Sequence, residues 1–97
     1  MLYTVNKSPL TSNNLKSCLR VVKKGTPVLL YEDGVYGAIP GSAVEPMVRE
    51  ALKKVEIYAL TEDLRARGLD KLIGGIKQVD YAGFVGLVEE HNVCTWM

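Results

Sequence analysis

Two cysteines, Cys18 and Cys94, and one histidine, His91, are the side chains best suited to covalent chemistry in this 97-residue chain. A thiolate attacks sulfur or carbon electrophiles, and its reactivity depends on a neighbouring cation, a helix N-terminus or a base. His91 stands three residues before Cys94, a spacing open to a Cys–His pair, although a surface histidine at a helix end explains it without chemistry. Counted from Ser12 as an N-cap, Cys18 lies about two turns into a helix, too deep for strong activation by the helix dipole. Its helical neighbours are Asn14, Leu15, Val21 and Val22, none of them cationic. On these residues alone Cys18 reads as a small core hydrophobe before it reads as a reactive thiol. Cys94, near the end of a terminal strand, reads as filler. One histidine and two cysteines fall short of a four-ligand zinc site, and two cysteines are too few for a disulfide framework.

Carboxylates form the second group. Asp33, Asp63 and Asp80 each stand just before a helical segment, where a side-chain oxygen accepts orphan backbone N–H groups. The competing reading is a shared carboxylate site of the magnesium or phospho-receiver kind. A receiver wants two adjacent acids after the first strand, and Asn6-Lys7 occupies that place. Glycines 34, 37 and 41 match neither G-x-G-x-x-G nor the P-loop spacing, so phosphate cradling is unsupported. No cofactor is implied.

The elements that must position these groups alternate regularly. Residues 1–6 read as a strand. Leu15, Leu19 and Val22 recur at helical spacing after the polar cluster 11–14, with Gly25 closing that helix. Pro27 to Tyr31 is a continuous apolar run, as in a strand buried on both faces. Residues 35–41 are ambiguous. Val44, Met47, Val48, Ala51 and Leu52 form a helical stripe, 55–60 a strand, 61–68 a short helix, 76–79 a strand, Asp80 onward a helix and 93–97 an edge strand. That alternation predicts an α/β fold: three layers, a mainly parallel sheet of four to five strands, and helices on both faces. The whole chain, 1–97, reads as one domain.

Composition narrows the function classes. The chain is 47% apolar and 24% charged, ordinary for a globular domain. Its net charge of +1 and the lack of a basic helix interleaved with aromatics argue against direct nucleic-acid binding. Apolar runs of four residues are far short of the roughly 20 that a membrane helix needs, and no signal peptide is read, so an intracellular, cytoplasmic protein is expected. Residues 1–31 carry five basic side chains and no acid, whereas 32–97 carry seven basic and eleven acidic ones. This is either a solvated helix face or a patch that steers an acidic partner. A chain this small buries only about two thirds of its unfolded surface, so a partner would add stability. Trp96 is a candidate anchor for one.

Several blocks together resemble the TusB/DsrH family: Leu2-Tyr3-Thr4-Val5-Asn6-Lys7-Ser8-Pro9, Leu29-Leu30-Tyr31-Glu32-Asp33-Gly34-Val35, residues 55–68, Val79-Asp80-Tyr81-Ala82-Gly83-Phe84-Val85 and the near-terminal Trp96. The likeness runs over the whole chain. It implies a DsrE-like fold and a small subunit of a hetero-oligomeric, heterohexameric sulfurtransferase complex that passes persulfide sulfur between protein cysteines. Such relays serve 2-thiolation of a transfer-RNA wobble uridine or intracellular sulfur oxidation. The implied partners are sister subunits of the TusC/DsrF and TusD/DsrE types and a TusE/DsrC-type sulfur acceptor. A cysteine in the first helix leans the chain toward the DsrH type and raises Cys18 as a persulfide-carrying site. The alternative is a non-catalytic scaffold subunit whose sister chain holds the reactive cysteine. A freestanding small-ligand or regulatory module is a third class.

Overall fold

The computed structural model describes residues 1–96, with the backbone alone described for Trp96. The suggestion that Trp96 anchors a partner therefore concerns a side chain outside the described residues. Five strands, β1 (Leu2–Val5), β2 (Pro27–Leu30), β3 (Glu56–Leu60), β4 (Lys77–Val79) and β5 (Val93–Trp96), form one sheet in the order β4-β3-β2-β1-β5. Every pairing is parallel. Four α-helices connect them: α1 (Asn14–Val21), α2 (Glu45–Ala51), α3 (Thr61–Ala66) and α4 (Tyr81–Glu90), with a 3-10 helix over Glu32–Ala38. The expected α/β architecture is the one observed, with all five strands present.

Strand order and handedness place the helices. The chain steps one way from β1 to β4, so right-handed crossovers put α1, α2 and α3 on one face. The return from β4 to β5, across the sheet to the far side of β1, puts α4 on the other. Strand alternation agrees: Val5, Val28, Leu30, Ile57 and Ala59 share one buried cluster with Leu15, Cys18, Leu19 and Val22 of the α1 segment, Val48 of α2 and Leu64 of α3. Leu2, Leu29 and Leu60 are equally buried but lie outside that cluster, on the α4 side. All four residues of β2 are buried, which is why that segment reads as an uninterrupted apolar run.

Two boundaries differ from the sequence expectation. Helix α1 stops at Val21 with an extended Val22, four residues before Gly25. Gly25 instead takes φ +87° in the turn leading to β2, and its N–H reaches Lys54 O at 2.7 Å. The ambiguous stretch after β2 is the 3-10 helix. It is apolar because Val35 and Ala38 are fully buried, and it is tight because Gly37 leaves no room for a Cβ, which would sit 2.6 Å from Leu15 Cδ2.

Candidate functional site

The carboxyl ends of β1 to β4 converge on the edge where α/β sheets place ligands. Glu32, two residues past the end of β2, is the one non-glycine residue with positive φ among the described residues, at 48°. A backbone in that region persists only when its surroundings hold it there. Asp63 Oδ2 accepts the Glu32 N–H at 2.6 Å. Arg67 donates to Asp33 Oδ1 from Nε at 3.1 Å and Nη2 at 2.9 Å, and from Nη1 to Asp63 O at 3.2 Å. Gly34 packs so close to the Val5 carbonyl that any side chain there would collide with it. The Glu32-Asp33-Gly34 and Asp63…Arg67 blocks thus form a latch between the end of β2 and α3.

The adjoining edge is linked in the same manner. Asp80 is the N-cap of α4, accepting from Gly83 N–H at 2.9 Å, and Glu62 Oε2 accepts from Tyr81 N–H at 3.3 Å. Of the three aspartates read as helix caps, Asp80 is one. Asp63 serves a backbone N–H 31 residues away and Asp33 serves a guanidinium, because α3 begins directly at the strand end with Leu60 at its cap position. Sequence spacing could not reveal those partners, which come together only through the β2–β3 pairing. Among the described residues, Asn6 Oδ1 and Glu62 Oε1 are buried without a hydrogen-bond partner at this edge. Tyr31 stacks on Phe84 with ring centroids 6.4 Å apart, and burial, then the charge of Glu32, raises its phenol pKa. Among the described residues no three His, Cys, Asp or Glu side chains gather where they could hold one ion.

Cys18 lies away from this edge, between α1 and the sheet, with no exposed surface. Burial, reinforced by the nearby Cys94 thiol, pushes its pKa from 9.0 to about 12. At neutral pH the thiolate is then populated at only about one part in 10⁵, so as folded this thiol is a poor nucleophile. Cys94 is half-buried on β5, in register with Tyr3, and faces the α1 side of the sheet. Parallel pairing of β5 with β1 is what sets the two thiols on one face, a proximity that their separation from position 18 to position 94 conceals. No hydrogen bond joins His91 to Cys94 among the described residues.

A groove of about 510 Å³ runs between α1 and α2, lined by the apolar Leu19, Met47 and Ala51, by Lys16, Arg20 and Lys54, and by the Glu50–Lys53 pair. The basic excess of the first third of the sequence is thus partly concentrated on one apolar-floored surface.

A family model described as DsrH like protein matches residues 7–94. The chain belongs to the DsrH-like family. It is 37% identical over 93 residues to Protein TusB of Shigella flexneri and to Protein TusB of Escherichia coli O81 (strain ED1a), with 95% of each chain covered. The fold is also that of the protein of unknown function MTH1491 from Methanobacterium thermoautotrophicum, with a TM-score of 0.74 at 20% identity over 97% of this chain and 96% of that one. The ychN protein from E. coli gives a TM-score of 0.76 at 19% identity, with 97% of each chain covered. No helix among the described residues is long and apolar enough to cross a membrane.

Proposed function

We propose that this protein is a subunit of a hetero-oligomeric sulfur-relay complex acting in transfer-RNA wobble-uridine 2-thiolation or sulfur oxidation. The observation that carries the reading is the match to Protein TusB over nearly the full length of both chains. Its partners in that reading are sister subunits of the TusC/DsrF and TusD/DsrE types and a TusE/DsrC-type acceptor.

Within that complex the geometry favours a scaffold role, with the reactive cysteine on a sister chain. Cys18 is fully buried and its thiol is held protonated, so it contributes packing between α1 and the sheet. The reading in which Cys18 itself carries persulfide sulfur requires assembly to open the α1–β5 seam. The half-buried Cys94 beside it supports that second reading, since one thiol of the pair already reaches the surface. Intact mass spectrometry of the assembled complex after loading with a persulfide donor separates the two. The scaffold role predicts no added sulfur on this chain, in wild type or Cys18→Ala. One extra sulfur atom on the wild-type chain, lost in Cys18→Ala, overturns it in favour of the carrier.

A further inference from the structure

We propose that the groove between α1 and α2 docks an acidic amphipathic helix of a partner protein. Leu19 and Ala51, each 5% exposed, lie deepest in this groove of about 510 Å³, with the half-buried Met47 beside them. Lys16 and Arg20 line it from α1, one helical turn apart, and Lys53 and Lys54 line it from the turn that follows α2. All four are exposed, and Lys16, Arg20 and Lys54 make no ion pair among the described residues. The basic group continues past the end of the groove. Gly25 N–H donates to Lys54 O at 2.7 Å and Thr26 N–H to Lys23 O at 3.1 Å, which fastens the turn bearing Lys23 and Lys24 beside Lys54.

The acids near these cations do not cancel them. Glu50 is the one acid in the lining, and Lys53 engages it at 3.1 Å. Glu45 and Arg49 neutralise each other one turn earlier on α2. Glu56 follows Lys54 closely in sequence but alternates to the opposite face of the sheet from Ile57, where Tyr58 and Lys77 hold it. The carboxyl ends of α1 and α2 each bring about half a negative charge, which the surplus of cations exceeds. Charge complementarity therefore selects an acidic occupant. The apolar base selects its form. Leu19, Met47 and Ala51 lie between cations on the α1 side and cations on the α2 side, which matches a helix whose apolar stripe is flanked on both sides by Asp and Glu. A nucleic-acid strand would meet the cations with its phosphates, but the groove has no aromatic lining residue on which its bases could stack.

Fluorescence anisotropy with a labelled model peptide tests this. The probe is a helix of about four turns with leucines at i, i+4, i+7 and i+11 and glutamates on both flanks. The full chain binds it saturably at one site. Lys16→Glu combined with Arg20→Glu, two exposed positions, keeps the circular dichroism spectrum and weakens binding at least about tenfold. Polyglutamate of the same length, which lacks the leucines, also binds at least about tenfold more weakly, and a peptide with lysines in place of the glutamates does not bind. On the wild-type chain, amide NMR shifts caused by the acidic peptide fall on residues 16–20 and 47–54; this map decides by itself if the double variant fails to fold. No saturable binding, equal binding by a folded double variant, equal affinity for polyglutamate or for the lysine peptide, or shifts on another face overturns the proposal. Tighter binding of a single-stranded RNA of the same length overturns it too, and makes the groove a nucleic-acid surface. None of these outcomes bears on the sulfur-relay reading, which the loading experiment decides separately.

Discussion

Asp63 and Asp33 differ little in sequence context and greatly in what they hold. Asp63 is mostly shielded, and its carboxylate accepts a backbone N–H from a residue in a strained conformation. Asp33 pairs with the same arginine but is 61% exposed, so solvent screens it. We therefore expect Asp63→Ala to lower stability in urea unfolding by about 1–2 kcal/mol, leaving the Glu32 N–H without its acceptor. Asp33→Ala should cost under about 1 kcal/mol. Equal losses would show that the latch acts through Arg67 and not through the Glu32 backbone. At Cys18 the folded pKa is raised, so above pH 9.0 the unfolded chain releases a proton that the native state keeps up to about 12. Stability should accordingly fall as pH rises through that window, and Cys18→Ala should flatten the fall. A thiol reagent applied to the native protein near pH 8 should modify Cys94 and leave Cys18 untouched; labelling of Cys18 at the rate of a free thiol would contradict its burial.

At the scale of elements, α2 depends on a clamp at its first turn. Glu45 Oε1 accepts from Gly41 N–H at 2.6 Å, and Oε2 accepts from Arg49 Nε at 2.6 Å. The bond from Gly41, followed by that from Arg49, holds the Glu45 carboxyl below its ordinary 4.5. A depressed carboxyl pKa stabilises the folded state above the ordinary value and loses that contribution as pH falls below it. Glu45→Gln should thus lower stability slightly at neutrality, as befits an exposed pair, and converge with the wild type well below pH 4.5, so that the acid sensitivity of unfolding is reduced. An undiminished acid transition would assign it to other carboxylates. Element positions were legible because apolar spacing carries them: Leu15, Leu19 and Val22 recur at helical spacing and pack in the α1-side core, and the β2 run is buried throughout. The end of α1 was not legible, since Gly25 supplies a left-handed turn in either position and only its bond to Lys54 O decides which.

For the whole molecule, the sheet order β4-β3-β2-β1-β5 divides the helices three to one. The face under α1, α2 and α3 holds the larger buried cluster, and the face under α4 is closed by a helix whose own outer side is left apolar. The uneven charge along the chain becomes spatial in the same step. Lys16 and Arg20 of α1 line the groove together with Lys53, Lys54 and the acidic Glu50, while Glu89 and Glu90 end α4 on the opposite side of the sheet.

The amino-acid sequence by itself determined the alternating elements, the parallel α/β class and the family, because periodicity, turn residues and ordered blocks are local properties. It also marked Cys18, Asp33, Asp63 and Asp80 as residues with chemistry to explain. Their work was decided only by the tertiary structure. Whether a carboxylate caps its own helix or a strand end 31 residues away depends on which strands are neighbours. Whether a thiol is a nucleophile or a packed core atom depends on what desolvates it, and for Cys18 that is the sheet beneath α1 and the terminal strand carrying Cys94.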